Sequence, residues 1–202
     1  QGSERPQRPQ RPIRSSRPAR PGASPGAGRT ARRRAAFDPH ARIPIPEDVN
    51  MGLSAARNAT MVQILGMPRD TMDQRCRPIV NEPAVSLLTT EDVGPFRVTG
   101  LRPAVESLRR VLAALKANEP DTYDTLGTAG MACARRTRNN RGISNHAWGT
   151  AVDINIDGIL DGLGQSANDG FTLAGLAAIA PHFNAEGWYW GAAFSREDSM
   201  HF

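Results

Sequence analysis

The first 34 residues constrain the fold most, because they cannot contribute to a hydrophobic core. Residues 1–34 contain ten arginines, six prolines and one acid, Glu4, and their only large apolar side chain is that of Ile13. Repeated Arg-Pro pairs favour an extended, solvated chain. Folding is therefore expected to be confined to residues 35–202, a length that can bury roughly 70% of its unfolded surface.

Charge divides the sequence at the same boundary. Residues 1–34 carry a formal charge of +9 and the whole chain carries +5, which leaves −4 for the rest. The pattern predicts a disordered tail or linker, or an electrostatic tether to an anionic surface, whose binding would weaken as salt is raised. The tail has no aromatic side chain to stack on a base and the remainder is acidic, so sequence-specific nucleic-acid binding is not expected.

Targeting signals and cysteines place weaker limits on function. No apolar run is long enough for a transmembrane segment, and no signal-peptide core is present, so we expect any export segment to have been removed or to lie upstream.

Two cysteines, Cys76 and Cys133, fit either one disulfide or two reduced core thiols. We expect the two to lie close together and to be bonded.

Apolar spacing predicts an α+β domain with a small antiparallel sheet flanked by helices. Helices are predicted over residues 54–65 with Ser54 as the cap, from about Pro103 onward, and over residues 172–183 with a distortion at Pro181. Strands are predicted over residues 96–98 and 151–157, and residues 188–202 have the pattern of a strand, a loop and a second strand.

The strand over residues 151–157 carries the first chemical signal. Val152, Ile154 and Ile156 alternate with polar residues, which is typical of a half-buried strand. Asp153 lies within this apolar run, where a carboxylate requires a partner such as a metal or an arginine. His146 precedes Asp153 by seven residues, and His201 is the second-last residue of the sequence given. Two histidines and a carboxylate suit a catalytic zinc site, which keeps a fourth position open.

Two motifs make this pattern more specific. Residues 144–153 read SNHAWGTAVD and residues 198–202 read DSMHF. The patterns S-x-H-x-x-G-x-A-x-D and D-x-M-H-F, in this order, resemble those of the VanY-type D-alanyl-D-alanine carboxypeptidases and the related peptidoglycan endopeptidases of phage lysins. The resemblance extends over roughly residues 43–202 and is densest over residues 127–157 and 187–202.

The resemblance implies a role for each motif residue. It implies one zinc ion per chain, bound by His146, Asp153 and His201, with Asp198 as the general base. The family also places an arginine upstream of the first motif to stabilise the oxyanion, and the Arg-x-x-Arg spacing favours Arg135, with Arg138.

The remaining candidates are residues for substrate binding or for the core. Arg138 or Arg136 could bind a terminal carboxylate, and Ser144 is expected to donate a hydrogen bond to the substrate or to the site. Trp190 is expected to lie in the core or in the wall of the substrate pocket. His40 and His182 are expected to lie away from the metal.

The sequence also departs from this family. Relatives usually carry a glutamate after the His-Phe pair, whereas the sequence given stops at Phe202, so we expect fraying next to the third ligand to weaken the site. Cys133, just before the arginine motif, resembles the cysteine of extensin-like relatives.

The resulting prediction is hydrolysis of a peptide bond in peptidoglycan stem peptide, by a carboxypeptidase or an endopeptidase. The resemblance implies an extracytoplasmic location, in the periplasm or cell wall, or delivery there as a phage or injected lysin. Two alternatives stay open: a catalytically silent wall-binding or structural module of the same fold, and an arginine-tailed nucleic-acid binder.

Overall fold

The computed structural model describes residues 37–138, 142–162 and 168–202, so the predicted tail over residues 1–34 lies outside the described part. The architecture is α+β, as predicted. The helices and strands occur in the chain order β1 Arg42–Pro44, α1 Asn58–Leu65, α2 Glu82–Val85, β2 Leu88–Asp92, β3 Arg97–Leu101, α3 Arg102–Asn118, α4 Pro120–Tyr123, β4 Leu126–Gly130, β5 Asp153–Ile156, β6 Phe171–Leu173 and α5 Ala174–Ala185. In these ranges, no helix has both the length and the apolar character needed to cross a membrane.

The described strands form three small antiparallel sheets rather than the single sheet that was expected. The pairs are β1 with β6, β2 with β3, and β4 with β5. Each strand has three to five residues, so each pair is stabilised by packing against helices rather than by further strands.

Helix α3 is the centre of the core. Pro103 stands in its first turn, where a missing N–H costs nothing. The predicted helix is confirmed, and its apolar residues at three- and four-residue spacing, Val105, Leu108, Leu112 and Leu115, are all buried. Full burial of each such side chain contributes about 1.5–3 kcal/mol. The same core includes side chains of α5 and β5, so α3 supports the strand that carries Asp153.

Two helices begin later than predicted. Helix α1 begins at Asn58, and Ser54 is an exposed loop residue that does not cap it, although Gly66 ends the helix with a φ of 73°. Helix α5 begins at Ala174, because the preceding three residues pair with β1 as β6. That pairing joins residues more than 120 positions apart, so local spacing could not indicate it.

The end of the described chain is also built differently from the prediction. In place of two strands, residues 191–193 form a 3₁₀ turn, and His201 makes one isolated bridge to Asp153. Phe202 exchanges two backbone hydrogen bonds of 3.0 Å with Val152 and stacks on Phe183 at 4.1 Å. These contacts hold His201 in place, which argues against the fraying that we expected.

The predicted disulfide between Cys76 and Cys133 is confirmed, with Cα atoms 5.1 Å apart. The bond reinforces a backbone pairing in which Arg77 and Ala134 exchange two hydrogen bonds. It therefore ties the irregular segment around Cys76 to the segment that leads into Arg135.

Removing the disulfide should lower the free energy of unfolding by about 4 kcal/mol, because the bond closes a loop with a sequence separation of 57. The measurement is urea denaturation of the oxidised protein and of a variant with both cysteines changed to serine. Reduced wild-type protein is the matched control and should behave like the double variant. A loss below about 1 kcal/mol would contradict the structural role given to this bond.

Candidate metal centre

The local backbone fixes the position of His146. Residues Asn145–Trp148 form a 3₁₀ turn that ends at Gly149, whose φ of 67° suits glycine. A Cβ on Gly149 would lie 2.8 Å from the backbone nitrogen of Leu101, which donates a hydrogen bond to the Gly149 carbonyl. The buried indole of Trp148 donates to the carbonyl of Gly66 at 2.8 Å. The turn is therefore anchored by the two residues at its end, just after the histidine.

A backbone carbonyl sets the tautomer of the His146 ring. Nδ1 lies 2.8 Å from the carbonyl oxygen of Met131, and a carbonyl can only accept, so Nδ1 carries the hydrogen. In the neutral ring Nε2 then holds a free lone pair. A metal-binding histidine is commonly oriented in this way, by a hydrogen bond from its other nitrogen.

Asp153 and His201 complete a cluster around that lone pair. Asp153 begins β5, and the isolated bridge places His201 opposite it. His146 Nε2 lies 3.1 Å from Asp153 Oδ1 and 3.2 Å from His201 Nδ1, and the last two atoms are 3.2 Å apart. In the described part of the chain these three residues are the group able to hold a metal ion.

The three atoms fit a tetrahedral zinc ion. Bonds of about 2.0–2.1 Å to zinc would place neighbouring ligand atoms about 3.3 Å apart, close to the three measured distances. Two ring nitrogens and a carboxylate oxygen are all electron-pair donors. A shared cation satisfies the three contacts together, whereas one proton satisfies a single pair. The donor set and its spacing therefore suit zinc.

The Asp153 carboxyl is held in the ionised form that a metal requires. Burial raises the pKa of Asp153, but the combined effect of the adjoining His146 and His201 rings is larger and holds the pKa well below its ordinary value. A largely buried, ionised carboxylate needs positive charge beside it.

Asp198 lies beside the cluster without belonging to it. Its Oδ1 atom is buried and, among the described residues, has no hydrogen-bond partner. Burial raises the pKa of Asp198, and the charge of Asp153 raises it further, against the opposing effect of His201 and Arg138. Gly162 packs against the backbone of Asp198, so closely that a Cβ added to Gly162 would lie 2.9 Å from the Asp198 Cα. A buried acceptor with a raised pKa suits proton transfer.

Most of the predicted substrate-binding residues share one cavity with this site. The cavity has a volume of about 550 Å³, and its lining includes Arg135, Arg138, Ser144, Asp198 and His201. Arg136 is not part of the lining; its Nε donates instead to the carbonyl of Met72 at 3.3 Å.

Trp190 does not lie where a substrate-binding role requires. Its side chain is completely buried, stacks on Phe202 at 6.0 Å and donates to the carbonyl of Ser199 at 2.7 Å. Neither of the described cavities is lined by it. Phe202 in turn stacks on Phe183 of α5, so Trp190 supports the Asp198–His201 segment from the core side.

Several supporting residues had no recognisable signal in the sequence. Asn50 is buried, and its side-chain amide both donates to and accepts from the backbone of Trp190. The buried carboxylate of Asp161 pairs with Arg42 at 2.7 Å, and the Asp161 carbonyl accepts from the backbone of Met200. Neither the burial of these two side chains nor their distant partners could be predicted from the sequence.

Two histidines lie apart from the cluster, as expected. His40 Nε2 contacts Asp157 at 2.9 Å on the surface, and His182 lies in the last turn of α5. Within the described ranges, neither belongs to the metal-binding group.

Comparison with known proteins gives one match. Residues 137–202 match the family model of the D-alanyl-D-alanine carboxypeptidases, and this stretch contains the three cluster residues and Asp198. No curated protein and no solved structure matches the chain. The resemblance drawn from the two motifs is thereby confirmed: residues 137–202 of this chain match the D-alanyl-D-alanine carboxypeptidase family.

Proposed function

We propose that this chain hydrolyses a peptide bond in the stem peptide of peptidoglycan, with one zinc ion held by His146, Asp153 and His201. The observation that carries the proposal is the convergence of three electron-pair donors at distances of 3.1–3.2 Å. The family match over residues 137–202 supports the peptidase class and the wall substrate.

In this proposal the acid beside the cluster moves the proton. Zinc, when bound, supplies a Lewis acid for the scissile carbonyl and lowers the pKa of a water molecule to about 7. Asp198 accepts the proton as the water oxygen attacks the carbonyl carbon, and it returns that proton to the amine nitrogen as the C–N bond breaks. Its unpartnered Oδ1 and its raised pKa favour this role.

Arg135 is assigned to the oxyanion, and Arg138 and Ser144 to the substrate. All three line the cavity that also contains Asp198 and His201. A guanidinium keeps its charge at any working pH and presents its donors in a plane, which suits a tetrahedral oxyanion. Removing one such donor commonly costs about 3–4 kcal/mol of transition-state stabilisation.

A catalytically silent module of the same fold explains the site less well. Such a module has no use for Asp198, whose buried oxygen makes no hydrogen bond within the described residues. An unpartnered buried acceptor costs stability, so its presence favours a catalytic use.

The proposed substrate also implies the place of action, in the periplasm or cell wall or after delivery there as a lysin. Attraction of the arginine-rich residues 1–34 to an anionic surface stays a prediction, because these residues lie outside the described structure.

Metal removal tests the proposed function directly. Purified peptidoglycan and a synthetic stem pentapeptide ending in D-Ala-D-Ala are incubated with the full chain, and the products are identified by mass spectrometry. We expect cleavage that stops on chelation and returns with zinc but not with magnesium, which prefers oxygen ligands. Cleavage that persists after complete chelation would contradict the proposal.

A further inference from the structure

A second cavity also borders His201. Its volume is about 380 Å³, and it adjoins the first cavity of about 550 Å³. The residues common to both linings are Ala55, Ala56, Asn145, Phe194 and His201. His201, a member of the candidate metal cluster, therefore borders both cavities, and a substrate that occupied both would pass the cluster at this residue.

Both cavities are large for a single terminal residue. Sites that hold drug-sized ligands have volumes of about 300–1,000 Å³, and each cavity falls in that range. One terminal alanine would occupy a small part of either, and much water would remain beside the reacting bond. The volumes therefore fit several substrate residues in each cavity.

The two cavities differ in charge. The first is lined by more basic than acidic side chains, with two acids, Glu197 and Asp198, and four arginines: Arg57, Arg135, Arg138 and Arg196. The second has no lysine or arginine in its described lining. Its one carboxylate, Glu186, pairs with Arg110 at 2.8 Å.

The rest of the second cavity is mainly apolar. Leu101, Pro103, Ala104, Trp188 and Phe194 contribute to its wall. The Trp188 indole donates to Ser107 Oγ at 2.9 Å, so its polar edge is already satisfied. A free carboxylate would lose its hydration there without gaining a cation, whereas uncharged peptide with small side chains would fit.

We infer that the substrate continues through both cavities, so that the chain cuts an internal peptide bond: the carboxylate-bearing part of the stem peptide lies along the arginines and an uncharged part lies in the second cavity. This inference rests on the proposed function and specifies its substrate. It predicts an endopeptidase, for which a free terminal carboxylate is not required.

The test is a product analysis with intact, cross-linked peptidoglycan and the full zinc-loaded chain. We expect fragments cut within stem peptides or cross-links. Free D-alanine as the only product would overturn the inference while leaving the proposed peptidase function intact. No cleavage of any wall substrate would overturn the proposed function, and the inference with it.

A variant tests the second cavity itself. Ser54 is exposed and lines only that cavity, so Ser54→Trp should narrow it without disturbing the core. We expect at least a tenfold loss of cleavage of cross-linked peptidoglycan with unchanged zinc content. Ser86→Trp, at an exposed serine outside both cavities, is the matched control and should cleave like wild type. Cleavage by Ser54→Trp at the wild-type rate would overturn the role of the second cavity.

Discussion

Replacing Asp198 with asparagine should leave one zinc per chain and slow hydrolysis of a wall peptide by about 10²–10⁴-fold, the usual contribution of a positioned general base. The zinc should stay because Asp198 lies outside the three-residue cluster. The rate should fall because an amide of nearly the same shape cannot accept the proton of the attacking water. The measurements are zinc content and initial rate on the same preparation.

Asp157→Asn is the matched control for this variant. Asp157 is an exposed aspartate that pairs with His40 at 2.9 Å, away from the cluster. It should keep both zinc and activity. An Asp198→Asn protein that hydrolyses wall peptide at close to the wild-type rate would show that the base is another residue. Loss of zinc from Asp198→Asn would show that this aspartate acts as a ligand.

Replacing His146 with alanine should remove both the zinc and the activity. The His146 ring is 2% exposed, contributes one of three ligand atoms and is oriented by the Met131 carbonyl, so no neighbouring group can replace it without a backbone shift. Zinc content after dialysis and hydrolysis of the pentapeptide are measured together. Circular dichroism establishes whether the variant is folded.

His40→Ala is the control for removing a histidine, because His40 contacts only carboxylates that lie outside the cluster in the described structure. This variant should retain one zinc and the wild-type rate. A folded His146→Ala protein that keeps stoichiometric zinc would contradict the proposed ligand set, even if its activity were lost.

The sequence predicts the parts of this fold that depend on local periodicity. The three-and-four spacing from Val105 to Leu115 places one face of α3 in the core, and the two-residue alternation buries Val152, Ile154 and Ile156. Both patterns follow from the geometry of a single element. For this reason they can be recognised without knowledge of what packs against them.

The remaining differences arise from contacts between distant parts of the chain. Because β6 pairs with β1, α5 begins at residue 174 instead of the predicted 172. Residues 200–202 hydrogen-bond to residues 152–154 without forming the predicted strand. Trp190 is predicted to lie in the core or in a pocket wall, and the structure places it in the core. Its burial depends on Phe202 and Asn50, which no local pattern connects to it.

For the site, two short motifs identified the residues that the structure brings together. Their order and spacing singled out His146, Asp153 and His201, but the distances of 3.1–3.2 Å require the bridge between Asp153 and His201. The carbonyl of Met131 orients a ring without any side-chain signature, so only the fold could reveal it.

X-ray absorption at the zinc edge, on the full chain loaded with zinc, tests the central claim most directly. The proposed site predicts one zinc per chain with two imidazole nitrogens and at least one oxygen at about 2.0–2.2 Å, and no sulfur, since Cys76 and Cys133 are bonded to each other. A site with sulfur ligands, fewer than two imidazoles, or no stoichiometric zinc would contradict the account.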